Sequence, residues 1–496
     1  SFVAWLGHPL HGEAIRVGLT PLRTRMVLRD HIEWVEARQE LSSTERLRCA
    51  LWRLDAGLQA DNAELLEGAI LARTAGDPSA CARLARAAFR NQPSVDAGFI
   101  LYSALFSTAQ WDEASDVFSR LEELVQSADG AEVEGSAAVA EGFRGAMVAT
   151  KASTIFWAEA DVDKALTYGR SVLDEPDLDP VSRSIVASSL AWHLLNRGKI
   201  SELLSLLDEA AAQIGVDPSS DDYPAALPAE LARPYSSVLA NAGRTRVARS
   251  LVDRGAMPGA PGNVDSLDRS QWHSSSSLIA LEQGDLETAM ALAREGYDEQ
   301  ALSRSVFGEL HNALVLGVAL LQSGRPASAS IWFARARASA LDTGRPRLSW
   351  PAVAGLAVTT AMTPDDAGVS AEDIEAVRTA GDLYIFSHII PAPVGLGWAQ
   401  VRAGQLAEAR AAFLGGARAA AEAGHVTGAV WLLHDAARVG AANEAVEVFD
   451  ELTLAVESDV VVARAVHIRA LASRDVAALV DAAGKFEALG MRVFAA

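Results

Sequence analysis

The chain has 496 residues, more than one compact core accommodates, so several domains or one extended repeat array are the architectures open to it. Half of the residues are apolar but only 6% are aromatic, and a hydrophobic set led by Ala and Leu favours closely packed helices over sheet. Acidic residues total 64 against 43 Lys and Arg, a formal charge of -21, which repels polyphosphate and argues against a direct grip on DNA.

Cys49 and Cys81 stand without CxxC or Cys/His spacing, so they indicate neither a disulfide framework nor a zinc site and fit a reducing cytoplasm. The start of the chain has no basic region followed by an apolar run, and no stretch reaches the roughly 18 apolar residues of a membrane span. A soluble cytoplasmic protein without a membrane partner is expected. The sequence begins without Met and stops in a helical pattern at Arg492 to Ala496, so it reads as a piece of something larger.

From residue 43 onward one signature recurs in chain order. An apolar helix ends at a small residue, and a second helix follows with Ala five positions on and a bulky apolar or small residue nine positions on. The turn residues are Gly76, Ala109, Ala160, Gly198, Gly243, Gly284, Gly324, Gly404, Gly440 and Ser473. Trp111-Asp112-Glu113-Ala114 with Phe118 comes nearest to the tetratricopeptide pattern. Gly284 leads to Ala289 and Ala293, Gly324 to Ala329 and Phe333, and Gly404 to Ala409 and Phe413. The wide gap from Gly324 to Gly404 predicts one degenerate unit near Met362 to Ala380, broken at Pro364-Asp365-Asp366. Asp174 to Asp179, Val216 to Pro224 and Met257 to Val264 are rich in Pro, Gly and Asp and predict long turns.

Each part of the signature has a cause. Gly ends the first helix because the residue after a helix usually turns left-handed. Ala at plus five lets the two helices cross closely, while Phe118, Phe333, Phe413 and Phe449 at plus nine fill the gap to the next pair. One pair cannot bury its apolar face alone, so neighbours must stack. The fold predicted is all-α, a superhelical solenoid of about eleven tetratricopeptide-like helix pairs.

Three segments carry a resemblance. His8-Pro9-Leu10-His11-Gly12-Glu13-Ala14 with Leu19-Thr20-Pro21-Leu22-Arg23 resembles the end of the winged-helix segment of the large ATP-binding LuxR-type transcription regulators, a group of STAND proteins that includes the maltose activator. Ala50-Leu51-Trp52-Arg53-Leu54-Asp55-Ala56-Gly57 resembles the opening of their helical sensor region, and Phe486-Glu487-Ala488-Leu489-Gly490 the helix that precedes their C-terminal helix-turn-helix. Thr20 stands where the family usually has Pro. The resemblance implies the end of a winged-helix segment over 1–42 and a helical-repeat sensor over 43–496. It also implies an ATPase before the chain and a DNA-binding domain after it, with a small-molecule inducer or regulatory protein as partner.

Neither activity has its residues here. Gly198-Lys199 is followed by Ile200 and Gly484-Lys485 by Phe486, so no phosphate-binding loop exists and no cofactor is expected in the chain itself; ATP belongs to the implied upstream domain. No recognition helix follows the last repeat, so DNA would be reached only through the implied downstream domain. No nucleophile elbow or metal-ligand spacing occurs, and His273, His311, His388 and His434 are scattered over the sequence. An enzyme is not expected.

A helical solenoid presents the first helix of each pair along a concave groove, where peptides or small ligands lie. Counting six, ten and thirteen residues back from each turn selects Trp192, Ser188 and Ile185, then Ser237, Arg233 and Glu230, then Leu278, Ser274 and Gln271. His311, Trp398 and His434 fall on the same predicted face. Trp192, Arg233, Ser237, Ser274, His311, Trp398 and His434 are the candidate ligand-binding residues, with Arg233 placed to meet an anionic group. Trp192 and Trp398 fit inter-repeat core better than a groove, and Pro234 breaks or kinks the helix that carries Arg233. Two readings result: a sensor region of a LuxR-type regulator, or a freestanding scaffold whose groove clamps a peptide of another protein.

Overall fold

The computed structural model describes residues 18–38, 40–127, 142–218, 220, 223, 226–254, 266–303, 305–363, 369–452 and 457–495. The His8 to Ala14 segment, the Met257 to Val264 turn and the Pro364-Asp365-Asp366 break lie outside the described residues. Those described are mostly helical, with no strand among them. Contacts divide the chain into two units, one of residues 1–108 and 113–132, the other of 109–112 and 133–496.

The first unit contains α1 (Pro21–Glu36), α2 (Ser43–Ala56), α3 (Asn62–Thr74), α4 (Pro78–Asn91), α5 (Val95–Ser107) and all but the start of α6 (Trp111–Ser127). Ser42 and Glu45 open α2 with a reciprocal capping box, two otherwise orphaned donors being satisfied at once. Gly57 closes it in the left-handed conformation. The stretch from Pro21, which the resemblance places in a winged-helix segment, is a single helix packed against α2. Cys49 and Cys81 are buried core residues that form no disulfide.

The second unit continues in antiparallel pairs: α7 (Phe143–Thr154) with α8 (Val162–Leu173), α9 (Pro180–Asn196) with α10 (Ile200–Gln213), α11 (Ala229–Asn241) with α12 (Thr245–Arg254). Then come α13 (Ser266–Gln283) with α14 (Leu286–Ser303), α15 (Val306–Gln322) with α16 (Pro326–Asp342), and the degenerate pair α17 (Trp350–Met362) with α18 (Ala371–Thr379). The last are α19 (Ala392–Arg402) with α20 (Leu406–Glu422), α21 (Val426–Ala436) with α22 (Ala442–Glu451), and α23 (Asp459–Ser473) with α24 (Val476–Ala488), followed by the short α25 (Arg492–Ala495).

Nine of the ten turn residues read from the sequence have positive φ, from Ala109 at 56° to Gly440 at 93°. The tenth turn belongs to Arg474, φ 54°, rather than to Ser473, because Ser473 still closes α23 with its hydroxyl on the Arg469 carbonyl. Ala289, Ala329 and Ala409 are fully buried at plus five, and Phe333 and Phe413 at plus nine. Phe449 departs from this pattern: it is half-buried beneath the Arg469 guanidinium, 4.8 Å from its ring centroid. Phe333 needs glycine on both sides, since a Cβ on Gly317 or Gly355 would stand 2.5 or 2.6 Å from its ring.

The array in the second unit closes on itself. Ser387 donates its amide to the Asn196 carbonyl at 3.0 Å, Thr427 its hydroxyl to the Asn241 carbonyl at 3.4 Å, and Ser458 its hydroxyl to the Glu282 carbonyl at 2.6 Å. Each donor introduces or opens the fifth helix pair after the pair that supplies the acceptor. Arg345 and Arg347 reach the Ala158 and Trp157 carbonyls with the same spacing. The acceptors sit where helices run out of partners for their last carbonyls, so one superhelical turn caps the turn before it. The segment Tyr384 to Ile390, its ends tied by the Tyr384 hydroxyl on the Ile390 carbonyl, is almost wholly buried.

Candidate functional site

The positions expected along an open groove are largely spent on packing between successive first helices. Ser237 is buried with its hydroxyl 3.1 Å from that of Ser275. His311 sits against the Ser274 main-chain oxygen at 3.0 Å, and Asn312 reaches the Ser274 hydroxyl at 3.4 Å, so Ser274 and His311 do come together. Trp398 donates its indole N–H to Asp435 at 2.9 Å, and His434, without exposed surface, meets His467 at 2.8 Å between their ring nitrogens. Trp192, Ser188, Ile185 and Arg233 are half-buried, Glu230 is exposed and Leu278 is fully buried. The Gln271 side chain lies outside the description. Pro234 is accommodated inside α11, so the helix bearing Arg233 runs on.

One long free inner surface is therefore not what the second unit forms. Its inner faces are met by the chain one turn later, and the His388 ring stands 5.8 Å from that of His311. Burial holds the His311 and His425 imidazoles down to about 4 and His193 down to about 3, each kept neutral by lack of solvation. His193 lies flat on Phe156 at 4.3 Å.

What the closure leaves open is its seam. The Glu457 carboxylate accepts the Arg246 and Val247 amides at 3.0 and 3.4 Å, capping α12 from a residue more than two hundred positions away. Beside it a cleft of about 340 Å³ is bordered by Thr245, Arg246, Asp459 and Leu489. A larger one of about 830 Å³ follows, between the turns at Gly284 and Gly324 and the end of α24, with Asp285, Glu287, Met290, Arg325, Glu487 and Arg492 on its walls. The two share Gly284, Asp285 and Leu489, so they run on from one another. In the first unit, a smaller cleft of about 200 Å³ lies between Arg90, Arg120 and the paired Arg86 and Glu113.

Sequence reasoning passed over Glu457, Arg325 and Arg492, which face a cleft only because distant turns converge. Nothing local marks them. Among the described residues no three His, Cys, Asp or Glu side chains converge on a metal position, and no helix is long and apolar enough to cross a membrane.

No protein-family model matches the sequence, and no curated protein matches it. Among solved structures, a Rap protein complexed with competence and sporulation factor is 12% identical, covering 77% of this chain and 99% of that one with a TM-score of 0.49. The APC/C hetero-tetramer Cut9-Hcn1 is 12% identical over 97% of both chains with a TM-score of 0.34. At these levels neither likeness bears on function.

Proposed function

We propose that the chain is a tetratricopeptide-type protein-interaction scaffold that takes an extended segment of a protein partner along the seam. The observation that carries this reading is the cleft of about 830 Å³ between Gly284, Gly324 and the end of α24. Its walls hold both signs of charge, Asp285, Glu287 and Glu487 against Arg325 and Arg492, beside the ends of several helices. Such a lining suits the alternating donors and acceptors of an extended main chain and gives direction through its charges. A photocrosslinking residue at Met290 should capture a partner that one at the exposed Leu406 does not. Reversing Arg325 and Arg492 together should lower that capture at least tenfold. Equal capture from both positions, or capture indifferent to the reversal, would remove the reading.

The resemblance of Ala50 to Gly57 and Phe486 to Gly490 to LuxR-type regulators supports a second reading, in which the same array is a cytoplasmic sensor region for an attached ATPase and DNA-binding domain. A superhelix whose successive turns meet through shared caps suits it, because a ligand preferring the closed or open state shifts the balance between them. Sequencing the coding region on both sides tests it: a phosphate-binding loop upstream and a helix-turn-helix downstream are required.

A further inference from the structure

Arg464 lies on α23 with only 2% of its surface exposed, and its Nε and Nη2 have no hydrogen-bond partner. A guanidinium taken out of water is destabilising unless an anion meets it. The two carboxylates that influence it are Glu282 and Asp435. Asp435 is engaged on both oxygens, by the Trp398 indole at 2.9 Å and the Arg438 guanidinium at 3.0 Å. Arg438 moreover adds a second positive charge to the neighbourhood. Glu282 makes no ion pair, although the Thr427 side chain hydrogen-bonds to it. Burial pushes its carboxyl up to about 7 and the Arg464 guanidinium down to about 10, although Glu282 retains some accessible surface.

Other groups converge here with unused capacity. The Asn241 side-chain oxygen is buried without a donor, while its main-chain oxygen receives the Thr427 hydroxyl. One turn further along α21, the Trp431 ring stands 5.4 Å from the Arg464 guanidinium carbon. Asn241 and Glu282 come from α11 and α13 in one superhelical turn, Thr427, Trp431 and Arg464 from α21 and α23 in the next.

We infer that this is a binding site for a small amino-acid-like zwitterion, which places its carboxylate on Arg464 and its ammonium between Glu282 and the Asn241 oxygen, bridging the two turns. A dianionic phosphate would meet the negative charges of Glu282 and Asp435, and a neutral sugar would leave the guanidinium without a counter-charge. The inference does not depend on the partner segment at the seam cleft. The zwitterion is supplied by a free amino acid or by a short peptide, and the measurement separates these.

Melting curves and calorimetry of the full chain, with the free proteinogenic amino acids in one arm and tripeptides in another, test it. N-acetylated amino acids and the corresponding decarboxylated amines serve as single-charge controls. One of the two arms should raise the melting temperature with saturable binding, and both controls should fail. Arg464→Gln should weaken binding at least a hundredfold and Glu282→Gln at least tenfold. Glu282→Gln preserves shape, so it decides the matter if Arg464→Gln does not fold. Silence of both arms at millimolar concentration, controls that bind as well as zwitterions, or Glu282→Gln binding as tightly as the parent would each overturn the site. Crosslinking from Met290 is read separately, so failure here leaves the scaffold reading standing and the reverse.

Discussion

Ser458 donates its hydroxyl to the main-chain carbonyl of Glu282 at 2.6 Å, across 176 residues of chain. The same hydroxyl accepts the Val461 amide and so also caps α23. A single side chain thus begins one helix and finishes another, and the neighbouring Glu457 does the corresponding work for α12. Closure of the second unit uses such shared polar caps alongside apolar contacts, Val460 and Leu489 standing against Gly284.

Removing a cap from the seam should loosen it locally. Glu457→Ala is expected to lower stability by about 1 kcal/mol, the usual value of a helix N-cap. Amide exchange should quicken at Arg246 and Val247, whose donors lose their acceptor. Exchange monitored by mass spectrometry checks this, and unchanged protection there would show that the cap contributes nothing.

Adding one methyl group where two helices approach should be harmful. In Gly397→Ala the new Cβ would stand 2.2 Å from the Phe413 ring, and in Gly317→Ala 2.5 Å from Phe333. Each should lose about 1–3 kcal/mol by overpacking, measured as a shift in urea midpoint. Pairing Gly317→Ala with Phe333→Leu should recover part of the loss.

The network around Asp435 should be sensitive to truncation. Asp435→Ala leaves the Trp398 indole and the Arg438 guanidinium without their shared acceptor, and breaking a buried pair on one side costs about 3–5 kcal/mol. Asp435→Asn, which keeps one acceptor, should lose less. Denaturant titrations of the two variants check the order.

Acid should weaken the fold earlier than carboxylate protonation alone explains. His193, His311 and His425 hold protons only near pH 3 to 4 when folded, whereas unfolded imidazoles bind them near the ordinary value of about 6.5. The unfolded state therefore takes up more protons, and stability declines as pH falls below about 6.5, levelling only below the folded values. Glu282 and Glu309, both raised by burial, act in the opposite sense, but His388, His434 and His467 are lowered as well, so the imidazoles outnumber them. Urea midpoints from pH 7 to 4 should show this decline, and His193→Phe should make it shallower. A flat profile would contradict the burial of these rings.

The turns were legible because a left-handed residue after a helix is a local requirement that Gly meets most easily, as at Gly198, Gly284 and Gly404. Ala109 and Ala160 were legible only through the spacing of their neighbours. The pairing of Gly317 with Phe333 and of Gly397 with Phe413 was also present in the sequence, at a constant offset from the turn, and went unread. The candidate row was not legible as a groove. Whether Ser237 or His434 faces a guest or another helix depends on how far each pair rotates on the last, and small differences in side-chain volume set that rotation.

Alone, the sequence determined the helices, their turns and the stacking of each pair on its neighbour, because all of these are satisfied within about 40 residues of chain. Only the tertiary structure decided that every fifth pair of the second unit returns to cap an earlier one, bringing Ser458 to Glu282 and Arg464 within its electrostatic influence. The rise and twist of a superhelix accumulate over many packing contacts, so residues far apart in the chain meet without any local pattern that announces it.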